Sequence, residues 1–314
     1  MIQLMQPPAT PPLKAIPPAR DRLQSRILVW TVAPLIYFAG AMAVTESCLD
    51  IPRISSFHQI SIAVSLLFAL LVWRLKAATP AAAACGGVIC LLLTFSPGQT
   101  ESLHHTALPP LIALFVLTYA ATRAGRYRKA SAGLAESRKG RRASQIIANL
   151  SIAALIAFPI GKIIAISLWP GHDYHSLWVG AALVLSALAE ATADTVSSEI
   201  GQVFGGRPFL LTTLHRVAPG TDGAVSLLGT LAGILAAVIV AATGAWSMHL
   251  SLLRATIALA AGICGLFFDS LLGATLEHRG WLGNDLVNFC STIFSPAICV
   301  LALLLIPKLG PEHL

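Results

Sequence analysis

Hydrophobic positions form long, nearly unbroken runs along most of the chain, and short polar segments separate them. A helix needs about 20 mostly apolar residues to cross the roughly 30 Å hydrocarbon core of a bilayer. Runs near that length lie at about residues 27–45, 57–73, 80–96, 107–122, 143–168, 177–193, 223–246, 252–273 and 286–306. The pattern therefore predicts an all-α, polytopic membrane protein, an integral helical bundle with about nine transmembrane helices.

Composition agrees with this prediction and divides the chain. Hydrophobic residues make up 56% and charged residues 11%, whereas soluble domains carry about 25% charged residues. Residues 1–26 are rich in proline and contain neither an apolar run nor a small-residue cleavage site, so we expect a disordered cytoplasmic tail. N-terminal membrane helices over 27–122, a basic loop over 123–142, C-terminal membrane helices over 143–306 and a short tail over 307–314 follow.

The placement of basic residues predicts the orientation. All but four of the 21 Lys and Arg residues fall in loops that share one side if the N-terminus is cytoplasmic; the exceptions are Arg53, Lys162, Arg254 and Lys308. Cytoplasmic loops of membrane proteins are enriched in these residues. The net charge of +7 thus reflects topology, with the lipid bilayer and no nucleic acid as partner. We expect a multi-pass protein of the bacterial cytoplasmic membrane.

The first of three polar clusters is the basic loop with the helix entry that follows it, residues 123–149. It carries eight bases against a single acid, Glu136, and contact with anionic lipids would account for that charge. It would not account for Gln145 and Asn149, two amides four residues apart at the entry to a membrane helix. They serve either helix packing or ligand binding, and the sequence leaves both open.

The second cluster spans residues 190–226. If the helix continues, Asp194, Ser198, Gly201 and Gly205 lie on one face, which would admit phosphate oxygens and a metal ion closely. The two glycines also form a small-residue helix-packing motif, but packing does not explain carboxylates at a membrane boundary.

The second cluster ends in a Gly-Thr-Asp-Gly turn at residues 220–223, before a helix start. Asp222 is suited to cap that helix, and the free amides of a helix N-terminus can also bind an anion. Both interpretations stay open.

The third cluster follows the apolar segment 252–273. Asp269 lies between apolar turns, Glu277 lies two helical turns further on, and Asp285 and Asn288 open the next helix. A charged side chain at such depth costs several kcal/mol unless it is paired or binds a cation. Carboxylates for Mg²⁺ next to cations for phosphates are the arrangement that phosphoryl transfer needs.

Together these motifs resemble a known family. The strings K-x-x-x-G-x-x-x-x-R-x-G-R-R-A-S-Q-I-I-A-N, A-D-T-V-S-S-E-I-G, P-G-T-D-G-A-V-S-L-L-G, D-S-L-L-G-A-T-L-E and N-D-x-V-N-F resemble the transmembrane protein 19 family, also called domain of unknown function 92. The resemblance covers roughly residues 30–306, and plant members of the family include phytyl phosphate kinase. A weaker resemblance, D-x-x-S-x-x-x-G-x-x-x-G-x-R from Asp194 to Arg207, is to CTP-using membrane enzymes such as dolichol kinase, with Ser and Arg replacing their Ala and Lys.

The resemblance implies a kinase that converts an isoprenyl monophosphate to its diphosphate at the cytoplasmic face, using Mg-CTP or another nucleoside triphosphate. Asp194, Glu199 and Asp269 are the expected catalytic residues and Mg²⁺ ligands. Expected nucleotide or phosphate contacts are Lys129, Arg141, Arg142, Gln145, Asn149, Ser198, Gly201, Gly205, Arg207, Arg216, Gly220, Thr221, Asp222, Gly223 and Ser226. Ser270, Glu277, Asp285 and Asn288 are further site candidates.

Two other functions fit parts of the pattern. Intramembrane carboxylates and glycine-interrupted helices also occur in transporters, although here the acids gather at one face. A CTP-dependent lipid-phosphate cytidylyltransferase would use the same Asp-Gly pattern, and its release of pyrophosphate would distinguish it from a kinase.

Overall fold

The computed structural model describes residues 16–49, 54–96, 102–134, 139–160, 163, 167 and 173–305. Its helices are α1 (Pro18–Leu49), α2 (Ile54–Arg74), α3 (Pro80–Leu93), α4 (Leu108–Arg123), α5 (Arg126–Ser131), α6 (Ala143–Leu155), α7 (Asp173–Phe204), α8 (Leu227–Ser247), α9 (Leu252–Leu272) and α10 (Asn284–Leu305). Strands β1 (Phe209–Leu210) and β2 (Ala224–Val225) pair antiparallel. π-helical turns at Ile156–Ile160 and Gly273–Glu277 extend α6 and α9.

The helices confirm an all-α, multi-pass membrane protein. In the described part of the chain, six helices are long and apolar enough to cross a membrane, namely α1, α2, α7, α8, α9 and α10. Shorter apolar helices, α3, α4 and α6, occupy the other three predicted segments. The count of nine spans and the cytoplasmic side of the N-terminus stay predictions.

One predicted boundary is wrong, and one predicted segment is interrupted. Helix α1 begins at Pro18, so residues 18–26 are helical and do not belong to a disordered tail; proline is well suited to a first helical position. The segment predicted over 143–168 is interrupted at Phe158, which has an extended backbone (φ −163°, ψ 126°), and its predicted end lies outside the described residues. Phe158 precedes Pro159, and the residue before a proline avoids the α conformation. Residues 1–15, 306–314 and Lys162 lie outside the described part.

Helix α7 is the centre of the bundle. In an apolar stretch of 18 residues taken from each long helix, 89% of the residues are buried in α7, against 22–44% in the other five helices. Its neighbours α4, α6, α8, α9 and α10 all contact it. Alanines with fully buried side chains recur along it, for example Ala182 and Ala193, and such small residues let helices approach closely. Several polar residues in the middle of α7, Ser186, Glu190 and Thr192, are therefore enclosed by protein.

The three polar clusters meet at one end of the bundle, which we call the polar end. Ala78, between α2 and α3, forms a backbone bridge with Arg141 before α6. Thr122 at the end of α4 donates to Glu199 near the end of α7 (3.0 Å). The start of α1 joins the segment before α10, where the Gln24 side chain accepts a hydrogen bond from the Gly283 amide (2.7 Å).

Candidate functional site

A cavity of about 510 Å³ lies at the polar end, and we call it the polar cavity. The ends of α6, α7, α9 and α10 and the turn before α8 enclose it. Its predicted site residues are Arg141, Arg142, Gln145, Asn149, Asp194, Ser198, Glu199, Gly201, Gly220, Thr221, Asp222, Gly223, Ser226, Asp269, Ser270, Glu277 and Asn288. Residues from all three sequence clusters thus line one polar cavity.

Two aspartates form the most acidic part of the polar cavity. Asp194 on α7 and Asp269 on α9 lie within hydrogen-bonding reach of each other, and Arg141 is close enough to interact with Asp194 by charge. The Ser291 hydroxyl donates to Oδ2 of Asp269 (3.1 Å). Two carboxylates at this range repel each other unless they share a proton or bind a cation. The pair is therefore a place where a cation would relieve repulsion.

The carboxylates of the polar cavity suit Mg²⁺ as a pair, not as the predicted set of three. Within the described residues, no three His, Cys, Asp or Glu side chains are arranged to hold a metal ion, so Asp194, Glu199 and Asp269 do not form a three-carboxylate site. Protein Mg²⁺ sites often use only one or two carboxylates, with water and substrate phosphates as the remaining ligands. Asp194 and Asp269 match that requirement.

Glu199 and Lys129 have a structural role instead of the predicted metal and phosphate roles. The Lys129 side chain is 2% exposed, and its Nζ lies 2.5 Å from Oε2 of Glu199. Nζ also donates to the carbonyls of Ala121 (3.0 Å) and Thr122 (3.1 Å), while the Thr122 hydroxyl occupies Oε1 of Glu199. All three donors of the Lys129 ammonium and both oxygens of the Glu199 carboxylate thus have partners that join α4, α5 and α7.

The glycines of α7 serve close packing against the start of α8. Gly201 and Gly205 both face Ser226, and a Cβ added to Gly201 would lie 2.8 Å from the Ser226 hydroxyl oxygen. Gly229 on α8 lies equally close to α7, since a Cβ there would come within 2.9 Å of the Gly201 Cα. The packing interpretation of these glycines accounts for their position. Gly201 also lines the polar cavity, whereas Gly205 does not.

The Gly-Thr-Asp-Gly turn docks onto the end of α9. Gly220 and Gly223 have positive φ angles of 86° and 70°, and a Cβ on Gly223 would meet the backbone of Gly273 and Ala274. Asp222 does not cap α8, as one interpretation had it. Ser226 is the N-cap, and its hydroxyl accepts from the Gly229 amide (3.2 Å), because β2 intervenes between the turn and the helix.

This docking predicts a large difference between two glycine substitutions. Gly206 also has a positive φ (66°), but a Cβ there meets no atom within 4 Å. Gly206→Ala should cost only the left-handed backbone energy, about 1–2 kcal/mol. Gly223→Ala should cost clearly more, because the turn must also move away from α9. Thermal unfolding of the detergent-solubilised variants would measure this, and equal losses would contradict the docking argument.

Two predicted phosphate-binding arginines lie away from the polar cavity. Both are exposed; Arg207 lies two residues before β1, and Arg216 lies between β1 and β2. The Arg216 guanidinium donates to the Arg207 carbonyl (3.0 Å), and Arg216 forms a backbone bridge with Phe209. Neither arginine lines the polar cavity.

The two amides of the first cluster have different partners. The Asn288 side chain on α10 donates to the Asn149 side chain on α6 (3.0 Å), which favours the packing interpretation for Asn149. Gln145 caps its own helix, since its side chain accepts from the Arg142 amide at the start of α6 (2.7 Å). All four residues also line the polar cavity.

Asp285, predicted as a site candidate, does not line the polar cavity. It is 4% exposed and accepts from Ser25 of α1 (2.6 Å). Arg142 forms an ion pair with it at 3.6 Å. Asp285 therefore connects α1, α6 and α10.

Two residues beside the carboxyl pair were not among the predicted site residues, although Glu190 opens the second polar cluster. Glu190, one turn before Asp194, is 1% exposed and close enough to Asp269 to interact with it electrostatically; its Oε2 has no hydrogen-bond partner among the described residues. Ser291 is fully buried and contacts Asp269. A polar stripe along the apolar helix α10 could have indicated Ser291; it consists of Asp285, Asn288, Ser291 and Ser295.

Comparison with known proteins places the chain among membrane proteins. The family described as integral membrane protein DUF92 matches residues 63–295. The chain belongs to this family. An uncharacterized membrane protein of Synechocystis sp. is 32% identical over 191 residues, 60% of this chain and 71% of that protein. Protein VTE6, chloroplastic, of Arabidopsis thaliana is 32% identical over 193 residues, 60% of this chain and 56% of its own length.

The DUF92 relatives extend beyond bacteria and plants. An uncharacterized membrane protein of Methanocaldococcus jannaschii is 34% identical over 191 residues, 61% of this chain and 74% of that protein. No solved structure matches the chain. The comparisons thus show an integral, multi-pass membrane protein of the DUF92 family.

Proposed function

We propose that this DUF92 protein is a phosphotransferase that moves the terminal phosphate of CTP, or another nucleoside triphosphate, onto an isoprenyl monophosphate such as phytyl phosphate. The observation that carries the proposal is the Asp194–Asp269 pair in the wall of a polar cavity that also contains Arg141 and Arg142. The orientation predicted from the basic residues would put the polar end at the cytoplasmic face of the membrane, where nucleotides are found.

The side chains of the polar cavity divide into two tasks. Asp194 and Asp269 would hold Mg²⁺, which supplies neutralising charge for the phosphate oxygens when bound. Arg141 and Arg142 would orient the anionic groups, since guanidinium donors match phosphate geometry. Ser226 and the glycine-rich turn before it line the same wall. Small turns of this kind can bind phosphate oxygens at close range through backbone N–H groups.

The proposed reaction requires the protein mainly to align the two substrates and neutralise their charge. The acceptor is a phosphate monoester that is ionised at neutral pH, so no strong general base is needed. Its oxygen forms a new bond to the terminal phosphorus as the bond to the bridging oxygen breaks, and the nucleoside diphosphate leaves. Positioning and charge neutralisation account for most of the catalysis in such transfers.

The choice of an isoprenyl acceptor rests on the family. Plant phytyl phosphate kinase belongs to the group that the sequence motifs resemble, and the match to VTE6 extends over 193 residues. Because that match covers 56% of VTE6, the activity of the whole plant protein is carried over here as a proposal. A transporter is less well supported, since the acids of the described site gather at the polar end instead of continuing through the bundle.

The proposal is tested by supplying both substrates to the purified protein. Mg²⁺, CTP or ATP with a labelled terminal phosphate, and phytyl, farnesyl or geranylgeranyl phosphate should yield a labelled lipid diphosphate and an equal amount of nucleoside diphosphate. Pyrophosphate release with formation of a CDP-lipid would show cytidylyl transfer instead. If folded protein makes neither product from any pairing, the enzyme proposal is wrong.

A further inference from the structure

A second and larger cavity adjoins the polar cavity. Its volume is about 1010 Å³, at the upper end of the roughly 300–1,000 Å³ of typical ligand pockets. Most of its wall is apolar, with side chains of α2, α4 and α6 such as Phe68, Leu114 and Leu150. We call it the apolar cavity. Its contents must be largely hydrophobic, because an apolar wall of this extent favours apolar surface over water.

One edge of the apolar cavity is strongly basic. Arg123 at the end of α4 and Arg126 and Arg128 on α5 line it. Arg141, Asn149 and Thr195 line both the apolar and the polar cavity. The two spaces therefore meet at a guanidinium group that also interacts by charge with Asp194. A ligand of the apolar cavity would present its anionic end at this junction.

The position of Arg141 is fixed by the backbone. Its amide donates to the Ala77 carbonyl (2.9 Å), and its carbonyl accepts from the Thr79 amide (3.0 Å). Gly140 has a positive φ of 83° and lies against the same turn between α2 and α3. The basic loop is thus attached to the helices that form the apolar wall, so the junction is built into the fold.

A buried glycine opens the apolar cavity at α3. Gly86 lines the cavity and is buried, yet a Cβ added to it would meet no atom within 4 Å. Helix α3 pairs with α2, whereas α4 packs mainly on α7 and α8. The Phe68 and Phe115 rings meet edge to face at 5.6 Å between α2 and α4. The apolar cavity therefore occupies the space between two helix pairs, with Gly86 facing into it.

We propose that the apolar cavity binds the hydrocarbon chain of a lipid phosphate monoester, with its phosphate at Arg141 facing the polar cavity. The proposal rests on the proposed function and assigns its acceptor site. Apolar walls hold the chain, the basic edge attracts the phosphate, and the shared wall brings the acceptor oxygen next to the nucleotide phosphates. The apolar part of the wall suits a hydrocarbon chain better than the base and ribose of a nucleotide, which need polar partners.

Binding without nucleotide tests the site independently of turnover. Radiolabelled geranylgeranyl phosphate should bind purified wild-type protein, and Gly86→Leu should weaken this binding about 10-fold or more by filling the cavity. Ala84→Leu is the matched control, since Ala84 lies on the same helix and is exposed, and its binding should equal wild type. Fluorescent CTP should bind Gly86→Leu as it binds wild type. Undiminished lipid binding by folded Gly86→Leu would overturn the proposal.

Chain-length preference provides a second measurement that a folding defect would not imitate. Gly86→Leu reduces the volume of the cavity, so the shorter geranyl phosphate should compete better against geranylgeranyl phosphate than it does in wild type or Ala84→Leu. An unchanged preference would contradict the assignment. Lipid binding that responds to Gly86→Leu without any lipid diphosphate would reject the proposed function alone. Turnover that is insensitive to Gly86→Leu would reject this site alone.

Discussion

Asp269→Asn is expected to lower the rate of lipid diphosphate formation at least about 100-fold, as does loss of one preorganised electrostatic group at an active site. An amide keeps the size of the side chain and its contact with Ser291. It removes the negative charge that, with Asp194, would hold Mg²⁺. The rate is measured with saturating nucleotide and lipid phosphate, and the variant should elute as a monodisperse protein with near-native thermal stability.

Two comparisons make the Asp269→Asn result specific. Cys264→Ala changes an exposed residue of the same helix and should retain full activity. Asp194→Asn should match Asp269→Asn, and the double variant should lose little more than either single one, because residues that act as a unit are not additive. Retention of more than a tenth of wild-type turnover by folded Asp269→Asn would remove Asp269 from the catalytic site.

Much of the architecture was predictable because the bilayer imposes a simple requirement. Helices satisfy every backbone hydrogen bond within one segment, so long apolar runs become helices whatever their neighbours are. The alternation of those helices brings the acidic ends of α7 and α9 to the side of the basic loop, as the charge pattern indicates. Asp194 and Asp269 stand out for the same reason, since a carboxylate among apolar turns needs a partner.

The partners of individual charges were not predictable in the same way. Lys129 belongs to a loop with eight bases, where a basic residue normally faces lipid head groups or water. Its acceptor, Glu199, lies 70 positions away, and nothing in the local sequence of either residue indicates the pair. The N-cap of α8 was not recognised either. Asp222 was considered as the cap, whereas Ser226, also a favourable cap residue, caps the helix, because β2 lies between the turn and the helix.

The apolar cavity could not be predicted from the sequence either. Its existence depends on how far α4 stands from α2 and α3, and hydrophobicity alone does not distinguish a residue that faces a cavity from one that faces lipid or a neighbouring helix. Gly86 illustrates this. In the sequence it is one of two adjacent glycines in an apolar run, while the structure gives it open space and gives Gly87 a neighbour, Ala69, 3.0 Å from an added Cβ.

Breaking the buried pair of Lys129 and Glu199 is expected to have the largest effect on stability. Lys129→Met leaves the Glu199 carboxylate buried without its cation, and removal of one partner from such a pair typically costs about 3–5 kcal/mol. Glu199→Leu should cost a similar amount. Unfolding followed by tryptophan fluorescence in detergent would measure both, with Arg128→Met, an exposed residue of the same helix, as a control near wild type.

The double variant Lys129→Met/Glu199→Leu separates a structural role from a catalytic one. Replacing both charges with apolar groups removes the unpaired buried charge, so its free energy of unfolding should be well above the value expected from adding the two single losses. If the pair only joins α4, α5 and α7, phosphotransferase activity should recover together with stability. If Glu199 binds the metal ion, as the sequence motif led us to expect, the double variant would be stable and inactive, and the structural assignment would be wrong.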